Sequence, residues 1–376
     1  MSAPSSDLPL LDRIAATPRR EKGGSIAANR TDYQQSWAFC LLLTLHENRN
    51  DYAVLLDFHD DVVVLDSATD AQEMDFYQVK SQETGNWTIT QLLRCPKKKS
   101  GDLGLSICGK MYANKIKFPS VTKSVNFVTN APFSVRLNGD AHEREVDAFE
   151  VKELAKEIGE KIAEAVRKEH RLAALEDVPM HFRNEPLPHR GHQEQAQGRF
   201  VTFLEKQKPE GKFMAGIAFR AIASTIARKT GDERTPTNRA DLLLLKAITR
   251  AEFADMLTTI LKSAEPERWT EINNALLAEG YPYGTVKLWH GSWIKYEAQQ
   301  MDAANTPVQK LKESAVTVAA DISKGKPDFT LRHLISEGVP RVRQLLGAAN
   351  PFDENYATAA LLYHCHEEKQ LSPSAP

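Results

Sequence analysis

The stretch DFHDDVVVL (57–65), followed across a polar gap by MDFYQVKS (74–81), decides how this chain folds. Aliphatic and β-branched residues dominate 52–58 and 62–65, and such side chains suit the pleated, half-buried surface of a sheet. The polar trio His59, Asp60 and Asp61 between those runs suits a turn. Residues 67–73 lack apolar periodicity and read as a loop, after which 74–79 resumes a strand ending near Gln82. Side chains alternate with a period of two, so Gln78 and Lys80 share one face of that strand while Tyr77 and Val79 take the other.

A lysine in so apolar a strand needs charge partners. Burying an unpaired ammonium is costly, whereas one that faces carboxylates and a phosphate-bearing substrate is compensated. Phosphodiester hydrolysis calls for oxygen ligands that hold a hard divalent ion, and for a group that orients or activates water. Asp61, at the entry to the valine run, is the first choice of carboxylate ligand; Asp60 is the alternative, because sequence does not fix a strand register to one residue. Gln78 would ligate through its amide carbonyl, completing a candidate metal pair with Asp61. Lys80 would stabilise charge developing on the phosphate, or position or deprotonate the attacking water.

An aspartate, an aliphatic strand and then Gln-x-Lys resembles the variant restriction-endonuclease site in which glutamine replaces the usual acid before x-Lys. Together, EKGGSIAANRTDYQQSWAF (21–39), HDDVVVL (59–65) and FYQVK (76–80) resemble the double-stranded DNA endonuclease domain first named as a CD-NTase-associated nuclease. The resemblance covers about the first half of the chain. It implies Mg²⁺-dependent (or Mn²⁺-dependent) cleavage of duplex DNA, with catalytic positions on Asp60 or Asp61, Gln78 and Lys80. It also implies a place as effector in bacterial anti-phage systems, Lamassu-type systems with an SMC-like partner or systems with a HerA-type ATPase among them. From that function follow two further expectations: activity restrained until invasion, because a free nuclease would harm its host, and a homo-oligomer, because one site cuts one strand per event. The alternative is a non-catalytic DNA-binding or scaffold subunit.

Composition sets the remaining bounds. A length of 376 residues suggests about two domains, and 41% hydrophobic residues suffice for ordinary cores. No apolar run approaches the roughly 20 residues that span a bilayer, and no signal-peptide core opens the chain, so a cytoplasmic protein is expected. Four cysteines without paired spacing argue against a disulfide framework and against a cysteine zinc site. Net charge is only -2, yet Arg94, Lys97, Lys98, Lys99, Lys110, Lys115, Lys117 and Lys123 face the single acid Asp102 between positions 94 and 123. Arg94 and the Lys97, Lys98, Lys99 run are the candidate DNA contacts, with a solubilising face as the bland alternative.

The expected architecture is an α/β restriction-endonuclease-like domain, a mixed sheet flanked by helices, over 19–231, followed by an all-α C-terminal domain for oligomerisation or partner docking over 232–376. Residues 1–18 read as a flexible tail. Asp32 and Gln35 have the form of a capping box that opens a helix carrying Tyr33, Trp37, Leu41 and Leu45 on one face, and Gln34 either borders the site or is an exposed first-turn residue. A helix over 105–116, a strand over 123–129 and an amphipathic helix over 151–172 follow. Residues 179–197 read as an irregular, solvated loop with His181, His189 and His192, 200–228 as helix, and 231–236 as a linker. Beyond the linker lie helical patterns, the first over 241–261, with no phosphate-binding loop and none of the α/β alternation that a cyclic-oligonucleotide sensor would show, which disfavours activation by a nucleotide messenger. His364, Cys365, His366 and Glu367 fan around a helix and are poorly spaced to share an ion.

Overall fold

The structure, a computed structural model, describes residues 9–17, 28–98, 101–209, 213, 215–263, 266–300, 305–324, 330–347 and 350–371. Helices α1 (Leu10–Ala16) and α2 (Ala28–Asn48) precede the hairpin β1 (Ala53–Phe58) and β2 (Asp60–Leu65), and β3 (Met74–Lys80) comes next. The short β4 (Trp87–Thr88), the single turn α3 (Ile89–Leu92) and α4 (Ile107–Lys117) lead to β5 (Thr122–Thr129). Three small strands, β6 (Phe133–Val135), β7 (Arg144–Val146) and β8 (Ala148–Glu150), then α5 (Lys156–His170), come before β9 (Met180–Asn184). Helices α6 (His192–Gln207), α7 (Ala215–Gly231) and α8 (Arg239–Lys246) run on to β10 (Ala247–Thr249). The remainder is helical: α9 (Arg250–Ser263), α10 (Pro266–Ala278), α11 (Tyr283–Gln299), α12 (Thr306–Ser323), α13 (Leu331–Leu346) and α14 (Glu354–Leu371).

The main sheet has seven strands in the order β10-β1-β2-β3-β5-β9-β8. β1, β2 and β3 pair antiparallel, whereas β3, β5 and β9 run parallel, so the sheet is mixed and flanked by helices as expected. Parallel neighbours need long crossovers, and α4 supplies the one from β3 to β5. β1 and β2 are almost continuously apolar because both faces are covered. Leu55, Val63, Phe76, Met111, Phe127 and Phe182 are core residues of this layer. Trp37 of α2 lies against Tyr77 at 5.2 Å between ring centroids, which seats α2 over β3.

Several expectations about boundaries are corrected. Within the expected tail, residues 10–16 form α1, whose Leu10, Leu11, Ile14 and Ala15 join the sheet's core; residues 1–8 and 18 lie outside the described residues. Helix α2 begins at Ala28, so Asp32 is inside it and caps nothing. The segment 179–197 is irregular only over 185–191: β9 fills an inner position of the sheet before it, and α6 starts at His192. The pattern over 200–228 is two helices, α6 and α7, and a 3-10 turn (Val151–Glu153) precedes α5, which ends at Arg171 in the left-handed region.

The chain divides into two compact units, 1–200 with 226–254, and 201–225 with 255–376. The division expected at 231/232 therefore shifts, because β10 interrupts the helical pattern of 241–261 and pairs with β1, returning α8 and β10 to the sheet. The second unit is all-α, built around Trp293, Tyr296, Leu311, Val318, Leu334 and Leu361. Gly338 of α13 lets Leu361 of α14 approach where a Cβ would clash. His364 is core here rather than a ligand, its Nε2 sharing a 2.6 Å hydrogen bond with the Tyr296 hydroxyl; the side chains of His366 and Glu367 lie outside the described residues.

Candidate active site

The turn between β1 and β2 is shorter than the sequence suggests. Phe58 pairs with Asp60, which leaves His59 alone at the bend and makes Asp60 and Asp61 the first residues of β2. Asp57 (φ 47°) and His59 (φ 68°) adopt left-handed backbone, uncommon away from glycine. The β2/β3 register sets Val62 opposite Tyr77, so one step further Asp61 comes beside Gln78. The Val79 N–H donates to Asp61 Oδ2 at 2.7 Å, and the carboxylate is thereby held against the backbone linking Gln78 and Lys80. All four predicted catalytic residues thus reach one end of two adjacent strands, where β2 begins and β3 finishes.

Asp60 is buried, and its two oxygens have different partners. Oδ1 accepts the Asp61 N–H at 3.0 Å, and Oδ2 accepts Asn114 Nδ2 at 2.6 Å from the interior of α4. Gln78 is only 5% exposed, and its Oε1 is buried with no hydrogen-bond partner among the described residues. Lys80 is half-buried at the end of β3 and shares the face of Gln78. Gln34 is not an exposed first-turn residue. It is half-buried on α2, and its Nε2 donates to the Val79 carbonyl at 3.2 Å, so that Asp61 and Gln34 together engage both backbone polar groups of Val79.

Immediately past the site, Ser81 Oγ lies 2.9 Å from His189 Nδ1, and Gln82 and Asn130 exchange backbone and amide hydrogen bonds at 2.8 Å. His192 Nδ1 lies 2.9 Å from Ser36 Oγ on α2, and burial pushes its pKa down. His189, half-buried in the connection between β9 and α6, meets the residue after β3, and His192 at the start of α6 meets the middle of α2, so neither is a freely solvated loop residue. Burial raises the Tyr77 hydroxyl to about 12 and the Cys108 thiol to about 12. All four cysteines are free.

Sequence reasoning missed Asn114 and His59. Asn114 carried a signal: it stands on the helical face of Met111 and Phe118, and a polar side chain on a core-facing stripe needs a partner. His59 carried none, since a polar turn residue is unremarkable. The basic stretch is divided. Arg94, Lys97 and Lys98 are exposed on a loop after α3, pinned where Lys97 bridges Leu103, and Lys99 lies outside the described residues. Lys115 and Lys123 are already paired, with Glu176 at 3.4 Å and Glu73 at 2.8 Å. Among the described residues no group of three His, Cys, Asp or Glu side chains is placed to hold a metal ion, and no helix is long and apolar enough to cross a membrane.

A mixed sheet that gathers two aspartates, a glutamine and a lysine at one strand end defines a nuclease-type α/β domain, and the comparisons agree. The family model described as "Cap4, dsDNA endonuclease domain" matches residues 22–230, more than half of the chain, and the chain belongs to that family. It is also similar to the Lamassu protein LmuA of Bacillus cereus (strain VD014), 25% identical over 262 residues that cover 67% of this chain and 67% of that protein. No solved structure matches.

Proposed function

We propose that this chain is a Mg²⁺-dependent (or Mn²⁺-dependent) endonuclease that cuts double-stranded DNA as the effector of an anti-phage or anti-plasmid system. The observation that carries this reading is the Asp61 carboxylate bonded to the Val79 amide, between a glutamine whose buried Oε1 has no hydrogen-bond partner among the described residues and Lys80. A buried carbonyl oxygen without a hydrogen bond is disfavoured, and a hard cation is a natural partner for it. Asp61 Oδ and Gln78 Oε1 are the proposed ligands, a hard-oxygen set that suits Mg²⁺ or Mn²⁺. When bound, the ion would lower the pKa of water and withdraw charge from a phosphate oxygen.

The chain's own groups do the rest. Lys80 would set its ammonium against the negative charge that builds on the phosphate as water adds and the deoxyribose oxygen departs. Gln34 and Asp61 hold the Val79 carbonyl and N–H between Gln78 and Lys80, and Asn114 holds Asp60 by its Oδ2. Exposed Arg94, Lys97 and Lys98, with Lys99, would neutralise backbone phosphates of the duplex. The likeness to a Lamassu protein supports a defence role, and to that role we add, as proposals, an SMC-like or HerA-type ATPase partner, activity held back until triggered, a homo-oligomer that cuts both strands, and a cytoplasmic location.

The test is incubation of wild type and Lys80→Ala with plasmid DNA and Mg²⁺, alone and with proteins encoded beside the chain. Cleavage by wild type only, removed by EDTA, is expected. Cleavage by a folded Lys80→Ala protein refutes the assignment of Lys80, and silence under every condition favours a scaffold subunit. Light scattering that finds only monomer in the active state refutes the oligomer.

A further inference from the structure

We propose that His59 is a positioning residue for this site, clamping the turn that carries Asp60 and Asp61 to helix α1. This rests on the nuclease reading above. Asp57 and His59 both lie in the left-handed region, and two such non-glycine residues within three persist only where the surroundings over-determine them. Glycine or asparagine would adopt this turn with less strain, so the histidine is held there by what its ring reaches.

That ring is 7% exposed and is fixed from three sides. Its Nε2 donates to the Ile14 carbonyl of α1 at 3.0 Å; a carbonyl only accepts, so this nitrogen carries the proton. Phe58 and Phe118 meet it edge-on, with centroids at 4.6 and 5.0 Å. Phe118 caps α4, the helix that sends Asn114 to Asp60 Oδ2. Helix α1 is itself anchored, with Leu11 and Ile14 buried and Asp12 Oδ1 accepting the Arg239 N–H at 3.1 Å. The acidic pair thus hangs between α1 and α4, and the next two residues after the clamp are Asp60 and Asp61.

His59→Asn and His59→Gln in the full chain separate the bond from the strain. Asparagine tolerates the left-handed turn, but its amide nitrogen sits near the Nδ1 position, short of Ile14; glutamine strains the turn more, but its amide nitrogen reaches the Nε2 position. Thermal midpoints, single-turnover cleavage of plasmid with Mg²⁺, and amide hydrogen exchange at Asp61 and Val62 are measured for both. The expected result is that His59→Asn holds or raises the midpoint, slows cleavage by about tenfold to 100-fold as small misplacements do, and speeds exchange at those amides. His59→Gln should cleave within about threefold of wild type with native exchange despite a lower midpoint.

A merely structural histidine would give the opposite order, with cleavage following the midpoint and His59→Gln the poorer enzyme; that order overturns the proposal. So does native exchange at Asp61 and Val62 in His59→Asn. If wild type does not cut even with the proteins encoded beside it, the nuclease reading fails, and if Lys80→Ala cuts equally well, the assignment of Lys80 fails; in either case the exchange comparison still decides whether His59 is the clamp.

Discussion

Replacing Gln78 with methionine should make the protein more stable and inactive. Gln78 is 5% exposed, and its Oε1 is buried without a hydrogen-bond partner among the described residues. Leaving a buried acceptor unpaired costs about 1–3 kcal/mol. Methionine is unbranched, close in length and adaptable in packing, so it removes that penalty with little loss of contact, for a net gain on the order of 1–2 kcal/mol. In a unit of this size each kcal/mol moves the thermal midpoint by roughly 2–4 °C. The assay is denaturation with EDTA and then with Mg²⁺, beside plasmid cleavage. Wild type should gain about 2.7 kcal/mol when Mg²⁺ is present at about 100 times its dissociation constant. Gln78→Met should start higher, gain almost nothing from Mg²⁺ and cut no DNA. A variant less stable than wild type in EDTA, or one protected by Mg²⁺ as wild type is, refutes the role given to this oxygen.

The two aspartates should differ in kind. Asp61→Asn keeps an oxygen for the Val79 N–H, so stability should stay within about 1 kcal/mol while cleavage is lost; Asp60→Asn cannot accept from both Asn114 and the Asp61 N–H, and should lose about 1–3 kcal/mol in urea unfolding. The reverse pattern would exchange their assignments. Asn114→Ala should cost about 1.5–3 kcal/mol by stripping a charge-assisted bond from a buried carboxylate, and a loss below about 0.5 kcal/mol would contradict the structure. Tyr77 has its hydroxyl raised from 10.0 to about 12, chiefly by desolvation. The unfolded chain therefore releases this proton first, and the stability it contributes is whole below pH 10 and lost between pH 10 and about 12. Tyr77→Phe should flatten that part of the alkaline limb, and equal slopes for both proteins in chemical denaturation from pH 9 to 12 would show that the hydroxyl is not shielded.

How much of this was legible beforehand follows from which interactions are local. The strands of 53–65 and 74–80 were readable because a two-residue alternation and β-branched runs are properties of neighbouring residues, and the shared face of Gln78 and Lys80 followed from the same period. The turn was misread because backbone sterics favour a polar trio as the loop, whereas His59 alone makes the bend with help from an Ile14 carbonyl 45 residues earlier. Strand β10 reads through as helix because residues 241–261 keep apolar spacing, and only pairing with Ala53, Val54 and Leu55 of β1 makes Ala247–Thr249 extended. Helix α1 was missed for a related reason. Seven residues make too short a helix to be stable alone, and its helical form depends on burying Leu10, Leu11, Ile14 and Ala15 against a sheet formed later in the chain.

The same distinction explains why the candidate catalytic residues are easier to propose from sequence than the groups that hold them. Phosphodiester hydrolysis restricts the residue types that can act, so Asp, Gln and Lys on a strand pattern stand out against an apolar background. The groups that hold them are under no such restriction. Asn114 serves Asp60 by one amide, Gln34 serves the Val79 carbonyl by another, and His59 reaches a backbone oxygen, and each of these contacts depends on a fold that brings α1, α2 and α4 to the same strand end. A family signature built on the reacting residues would recognise the site equally well in a chain whose α1 or α4 had changed. Stability and metal response measured on Asn114 and Gln78 variants therefore test this particular protein, where loss of cleavage in a Lys80 variant tests its family.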